Sequence, residues 1–331
     1  VTNPHKYPWM VNIESFSDVK PSSSCGGAII SENMILTAAH CVEHGWFEFM
    51  YFRKLYGEYV DVAAVVKIGH SSLNHALTVK VKSKLIHPNY FASPGTRNEN
   101  QTYDIALLEL SEDLKFNKEI QPIALPDVDF NETNYLDKLI SKFMVAGWGF
   151  TFDIPDDFYR LVKSNKWTVH KYKIPKEKYL KYCGNPESEK CEDNIKLMGP
   201  DTLKVTEVDY IKLSNDSCND KKKKVPVLIR AMSTKPYIPG VCRGDSGGPL
   251  MKIDVASGKF EVVGIVAAGD EWSESQAPKG CLGPMPDIYT RVSAFVQWIK
   301  KNVKKASNAD SFTKLYNGFK FTTDGAAIDI Y

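Results

Sequence analysis

Apolar and polar residues exchange places at short intervals along this chain, and the pattern predicts strands far more often than helices. Gly26 to Thr37 sets Ala28, Ile29, Ile30, Ile35 and Leu36 around a polar turn at Ser31-Glu32-Asn33, which predicts a hairpin. Before it, Trp9-Met10-Val11 predicts a short strand leading into a Ser- and Pro-containing loop. Val62 to His87 alternates in a strand-like way, most clearly at Leu77-Thr78-Val79-Lys80-Val81. Asp104 leads directly into the apolar run Ile105-Ala106-Leu107-Leu108-Glu109-Leu110. The pattern returns at Leu203 to Val208. Helical spacing is clear near the end, where Phe295, Val296, Ile299 and Val303 recur on one face with Ser293 placed as an N-cap. The expected class is all-β with a C-terminal helix.

Composition narrows the functions available. The 331 residues are 43% hydrophobic, enough for a sizeable core, and 42 basic against 40 acidic side chains leave a net charge of +2. That balance offers no electrostatic footprint for nucleic acid. No apolar run approaches the roughly 18 residues a membrane-spanning helix needs. Seven cysteines, with no Cys-x-x-Cys pair, read as disulfides of an oxidising compartment rather than a zinc ribbon. Three Asn-x-Ser/Thr triplets, at Asn100, Asn131 and Asn215, fit glycosylation of a secreted, extracellular chain.

The candidate chemistry centres on Cys242-Arg243-Gly244-Asp245-Ser246-Gly247-Gly248-Pro249-Leu250. A serine hydroxyl becomes a nucleophile only when one group takes its proton and others hold the oxyanion it creates. Glycines around Ser246 allow a tight turn that presents N–H groups, although an ordinary Gly-rich turn has the same composition. His40 lies in Thr37-Ala38-Ala39-His40-Cys41, and Cys25 and Cys41 flank the predicted hairpin. A bridge between them would close a loop worth about 3 kcal/mol in the chain-entropy model and would fix His40 against the strands. Asp104, at the mouth of a buried strand, needs a partner to offset its burial. A base, an acid and a nucleophile therefore occur in the order His40, Asp104, Ser246.

These three stretches resemble the three signatures of the trypsin/chymotrypsin serine endopeptidases. Pro8-Trp9, Cys25-Gly26-Gly27, His87-Pro88, Gly147-Trp148-Gly149 and Tyr289-Thr290-Arg291-Val292 resemble further landmarks of that family in the same order. The resemblance implies two six-stranded Greek-key β-barrels with the site between them. It places a peptidase domain over residues 1–305, with barrels at about 1–120 and 121–305, an insertion at about 150–201, and a C-terminal extension at 306–331. It implies His40, Asp104 and Ser246 as the catalytic set and the N–H groups of Gly244 and Ser246 as the oxyanion hole. Asp245 would pair with an α-amino terminus made by zymogen cleavage. In that family the terminus lies farther upstream of the landmark tryptophan than Val1 does of Trp9, so the expectation is either a mature chain that starts about five residues earlier or an atypical, non-activating N-terminus. A Cys242–Cys281 bridge would support the specificity pocket, and neither a metal nor another cofactor is implied. The expected partners are a protein or peptide substrate and a protein inhibitor, with the chain monomeric unless Cys218 pairs between chains.

Departures from the family pattern concern the substrate. The pocket base, aspartate in trypsins, is Gly240, whereas Asp287 replaces a usual glycine on the opposite wall, with Gly269 on the rim. Asp287 either attracts Lys or Arg side chains or narrows the pocket. Ala267 and Ala268 replace a serine and a tryptophan beside the cleft. The acidic loop holding Asp270, Glu271 and Glu274 either selects basic substrates or is ordinary solvated surface. Cys183 and Cys191 are expected to bridge within the insertion. Cys218, whose usual partner position is Arg230, is free, bound to the insertion or bound to another chain. Lys221 to Lys224 read as a solvated loop. The apolar tail with Phe312, Leu315, Tyr316, Phe319 and Phe321 docks on the body or on a partner. Two readings follow: a secreted serine endopeptidase, or a catalytically weak binding protein on a protease fold.

Overall fold

A computed structural model describes residues 3–16, 23–42, 63–90, 103–126, 141–149, 151–152, 197–198, 201–214, 228–232, 240–242, 244–254, 257–269, 286–303, 319–321 and 327–329. The first half forms β1 (Met10–Phe16), β2 (Ser23–Ser31), β3 (Met34–Thr37), β4 (Ala63–Ile68), β5 (Leu77–Ile86) and β6 (Ala106–Leu110). They join antiparallel in the closed order β1-β2-β3-β6-β5-β4, with β4 returning to β1. The apolar alternation explains the closure. Ile13, Ile29, Ile35, Leu36 and Leu107 are buried with no measurable exposure, β3 being covered on both faces, and register pairs Leu36 with Leu107 and Ile35 with Leu108. The expected hairpin is present as β2 and β3, turning at Glu32 and Asn33.

The second half forms β7 (Ser141–Gly147), β8 (Thr151–Phe152), β9 (Leu197–Met198), β10 (Lys204–Val208), β11 (Tyr210–Ser214), β12 (Leu228–Met232), β13 (Pro249–Asp254), β14 (Phe260–Ala268) and β15 (Asp287–Arg291). Its main sheet runs β10-β7-β13-β14-β15-β12-β11. The two edge strands are separated in the chain by Asp209 alone, so they are halves of one bent strand and bring the sheet round on itself. Six strands thus become seven segments, because the bend at Asp209 interrupts the ladder.

The chain crosses between barrels as expected near Ile120 to Pro126. Gln121 N–H donates to Pro8 O at 3.1 Å, Ile123 N–H to Ile29 O at 2.9 Å, and Val262 N–H to Ala124 O at 2.9 Å. Two short pairs lie outside the barrels. β8 pairs with β9 across the expected insertion, so its ends come together, and β16 (Phe319–Phe321) pairs with β17 (Ala327–Asp329) in the tail.

The C-terminal helix α1 (Val296–Asn302) is present, with Val296 and Ile299 buried. Its start differs from the expectation. Ser293 lies inside a 3-10 turn, Val292–Ala294, and the N-cap is Phe295, whose side chain makes no capping hydrogen bond. Packing of Phe295 into the core, at 4% exposure, outweighs the capping preference of a serine two residues earlier.

Trp9 joins the two halves. Its indole N–H donates to Met251 Sδ at 3.1 Å and its ring lies 4.8 Å from that of Phe260, both in the second half, with 1% exposure. Trp9→Ala is expected to cost about 3–5 kcal/mol, as for other large buried aromatics. Urea unfolding of the variant against the parent chain measures it.

Candidate active site

His40 sits in the 3-10 turn Ala39–Cys41, which starts directly after β3. The turn is tied back to β2 by the Cys25–Cys41 disulfide, as expected. Asp104 is 3% exposed and meets His40 twice. Oδ1 accepts the His40 backbone N–H at 2.9 Å, and Oδ2 lies 2.7 Å from His40 Nδ1. With Nδ1 carrying its proton toward the carboxylate, Nε2 is left as the basic nitrogen. The His40 side chain keeps about a third of its surface open, so a reacting group can approach it.

Glycines make the loop around Ser246 possible at the contact between the barrels. Gly244 and Gly247 adopt φ of 97° and 78°, the left-handed region that glycine occupies without strain. Gly247 N–H donates to Val266 O at 2.8 Å and Val266 N–H to Gly248 O at 2.9 Å, fastening the loop to β14. Across the barrels, Gly26 N–H donates to Ser246 O at 2.6 Å. A methyl group on Gly26 would fall 2.7 Å from Gly248 Cα, and one on Gly247 would strike Thr37 Oγ1 and sit 3.2 Å from Ala38 N. The Ser246 loop therefore touches the segment just before His40 with bare backbone. Among the described residues, the N–H groups of Gly244 and Ser246 donate to no backbone acceptor.

Two further carboxylates stand behind this loop. Asp245 accepts Gly149 N–H on Oδ1 at 2.8 Å and Cys242 N–H on Oδ2 at 2.9 Å, and its carboxylate fills the space beside Gly147 and Gly149. Burial pushes the Asp245 carboxyl up to about 6, against the pull of those two donors. Among the described residues no cation pairs with it. Asp287 is 6% exposed and accepts Val241 N–H at 3.0 Å. One of its oxygens occupies the space a side chain at Gly240 would take. Asp287, at the start of β15, therefore stands directly beside Gly240. Tyr289 is fully buried nearby; burial first, then the charges of Asp287 and Asp245, hold its phenol far above its ordinary range.

Gly269 closes β14 and is partly exposed. Just before it, the β14–β15 register slips between Val266 and Ala268, a bulge that the alternation of Phe260 to Ala268 does not announce. Sequence reading also missed Thr290, whose hydroxyl donates to Asp104 O at 2.9 Å from the other barrel. Tyr289-Thr290-Arg291-Val292 marks that strand in the sequence, but nothing local links it to residue 104. Cys242 is disulfide-bonded, while Cys281, Cys183, Cys191, Cys218, Asn100, Asn131 and Asn215 lie outside the described residues. Cys25, His40 and Cys41 form the one metal-ligand cluster among the described residues, and the disulfide removes the two thiolates a metal would need.

Comparison with known proteins agrees with this geometry. The family model described as Trypsin matches residues 1–181 and 193–299. The chain is 27% identical over 305 residues to the clotting factor G beta subunit of Tachypleus tridentatus, covering 91% of this chain and 77% of that protein. It is 29% identical to melanization protease 1 of Drosophila melanogaster, covering 92% of this chain and 64% of the relative. It is 31% identical to phenoloxidase-activating factor 3 of Holotrichia diomphalia, covering 90% and 70%. Among solved structures, neuropsin from mouse brain aligns with a TM-score of 0.54 at 22% identity, covering 90% of this chain and 96% of that one.

A raised carboxyl gives the folded chain a pH signature. Asp245 keeps its proton in the native state up to about 6, whereas the unfolded chain loses it near 3.8. Its contribution to stability is therefore fully present below the lower value and is lost as pH rises through the higher one. While no amine reaches it, stability is expected to fall by about 2–3 kcal/mol from pH 4 to 7 on this account. Urea unfolding at pH 4, 5.5 and 7 measures the fall, and Asp245→Asn is expected to flatten it.

Proposed function

The chain belongs to the trypsin family, and from that premise we propose that it is an extracellular serine endopeptidase cutting after lysine or arginine. One observation carries the reading: the buried Asp104 grips both the backbone and the imidazole of His40, while the Ser246 loop abuts the same segment. Ser246 Oγ attacks the scissile carbonyl carbon as His40 Nε2 takes the hydroxyl proton. Asp104 holds the tautomer and stabilises the imidazolium. The resulting oxyanion is met by the N–H groups of Gly244 and Ser246. When the C–N bond breaks, His40 returns its proton to the leaving amine. Water, activated by the same imidazole, then cleaves the acyl-enzyme and regenerates the serine.

Asp287 supports the basic preference. Its carboxylate lies where a residue 240 side chain would project, so it presents its charge at the same end of the pocket as an acid at 240. A lysine or arginine side chain entering there exchanges hydration for a fixed negative charge. Asp245, already held by two amides, needs a cation to offset its burial, and a new α-ammonium from zymogen cleavage supplies one. A clotting factor subunit and a phenoloxidase-activating factor among the relatives support limited cleavage of a protein precursor as the task. Residues 1–305 form the peptidase unit in this reading, with 306–331 an extension.

The second reading, a weak or inactive protease-fold binding protein, draws on Ala267 and Ala268, which take a hydroxyl and an aromatic wall from the cleft. A biotinylated phosphonate probe separates the two. The activated chain is expected to label and Ser246→Ala to remain unlabelled; no labelling of the activated chain overturns the enzyme reading. For specificity, Asp287→Asn is expected to lower kcat/KM on Arg and Lys peptides by about 10²-fold relative to Leu peptides, near 3 kcal/mol. Equal rates on Arg and Leu peptides in the parent enzyme would rule out the role given to Asp287.

A further inference from the structure

We propose that Tyr103, clamped by His87 and Phe295, is the positioning residue that aims the Asp104 carboxylate at His40. The proposal rests on reading His40 and Asp104 as a catalytic pair. Tyr103 is the one non-glycine residue with positive φ among the described residues, at 68°. A left-handed backbone is disfavoured for a residue that bears a side chain, so something must hold it there. This conformation falls on the residue immediately before Asp104.

The clamp is aromatic. The Tyr103 ring stacks on the His87 imidazole with centroids 4.9 Å apart and planes 18° apart. Phe295 meets the Tyr103 ring at 5.7 Å and the His87 ring at 5.2 Å, both edge-on, and Trp298 covers His87 at 5.0 Å. His87 Nδ1 accepts the Asn89 N–H at 3.2 Å, which requires an unprotonated nitrogen there, and burial holds this imidazole below its ordinary range. A neutral ring can lie in that box without a desolvated charge.

The backbone transmits the clamp to the carboxylate. Ile105 N–H donates to Tyr103 O at 2.8 Å, a three-residue turn with Asp104 at its apex. Thr290 Oγ1 donates to Asp104 O and His87 N–H donates to Ile105 O at 3.1 Å. The carbonyls of residues 103, 104 and 105 are thus all engaged, and only the Asp104 side chain is left to reach His40. If the Tyr103 ring lost its stack, its backbone would relax toward negative φ. The peptide between Tyr103 and Asp104 would then rotate, and the turn that sets the carboxylate would open.

Three variants of the activated full chain test this, with peptide hydrolysis and NMR titration of the His40 imidazole as readouts. Tyr103→Ala is expected to lower kcat about 10²-fold, the scale of a 1 Å misplacement, with KM within about twofold. It is also expected to move the His40 titration midpoint downward, because the carboxylate leaves the imidazolium. Tyr103→Phe keeps the stack and is expected to restore both. Phe295→Leu keeps apolar volume without a ring and is expected to give smaller changes in the same directions, which decides the matter if Tyr103→Ala does not fold. A folded Tyr103→Ala with parental kcat and an unmoved His40 titration overturns the proposal, as does a Phe variant as impaired as the Ala one. Should the parent chain hydrolyse nothing, the peptidase reading fails, while the His40 titration of parent against Tyr103→Ala still decides this one.

Discussion

Bare backbone touching bare backbone is the constraint on which the site depends. Gly26 of the first barrel and Gly248 of the second approach so closely that no Cβ fits between them, and Gly247 is pressed against Thr37 and Ala38 in the same way. The 2.6 Å hydrogen bond from Gly26 to Ser246 O is possible only at that separation. Side chains would hold the two halves apart by ångströms, and a base on one barrel could not serve a nucleophile on the other. Trp9, packed on Met251 and Phe260, supplies the burial that keeps the halves pressed together.

The second organising feature is three carboxylates, of which Asp104 and Asp287 are buried and Asp245 partly so. Each is answered by N–H groups rather than left to solvent. Asp104 takes the N–H and Nδ1 of His40, Asp245 takes Gly149 and Cys242, and Asp287 takes Val241. Neutral donors only partly offset desolvation. Asp104 gains a partner that can become a cation, whereas for Asp245 burial still prevails and its carboxyl stays high. That difference separates an acid already matched to its partner from one that still calls for a positive charge.

Much of the fold was legible because its causes are local. The apolar runs Ala28 to Ile30 and Ile35 to Leu36 around a polar turn reflect a strand pair buried on both faces, and the apolar run after Asp104 reflects a strand buried through its length. The cysteines flanking the hairpin pointed to the bridge that is present. Other features had causes elsewhere in the chain. The helix starts after Phe295 rather than at Ser293 because a core contact fixes that residue. Leu203 to Val208 reads as an ordinary strand pattern, but nothing in it announces that the chain bends at Asp209 and that the two segments beside the bend pair with different neighbours.

The candidate site divides along the same line. Residue chemistry and order offered His40, Asp104 and Ser246 as candidates, and the resemblance to the three trypsin/chymotrypsin signatures is what singled them out. The same resemblance marked Gly240 and Asp287 as departures from the family pattern. Only the tertiary structure decided that this carboxylate stands in the space beside Gly240, that Thr290 reaches the carbonyl of Asp104, and that Tyr103 is twisted into a left-handed turn beneath His87 and Phe295. These are contacts between positions far apart in the chain, set by how two closed sheets pack, and no local pattern of apolar and polar residues encodes a distance across them.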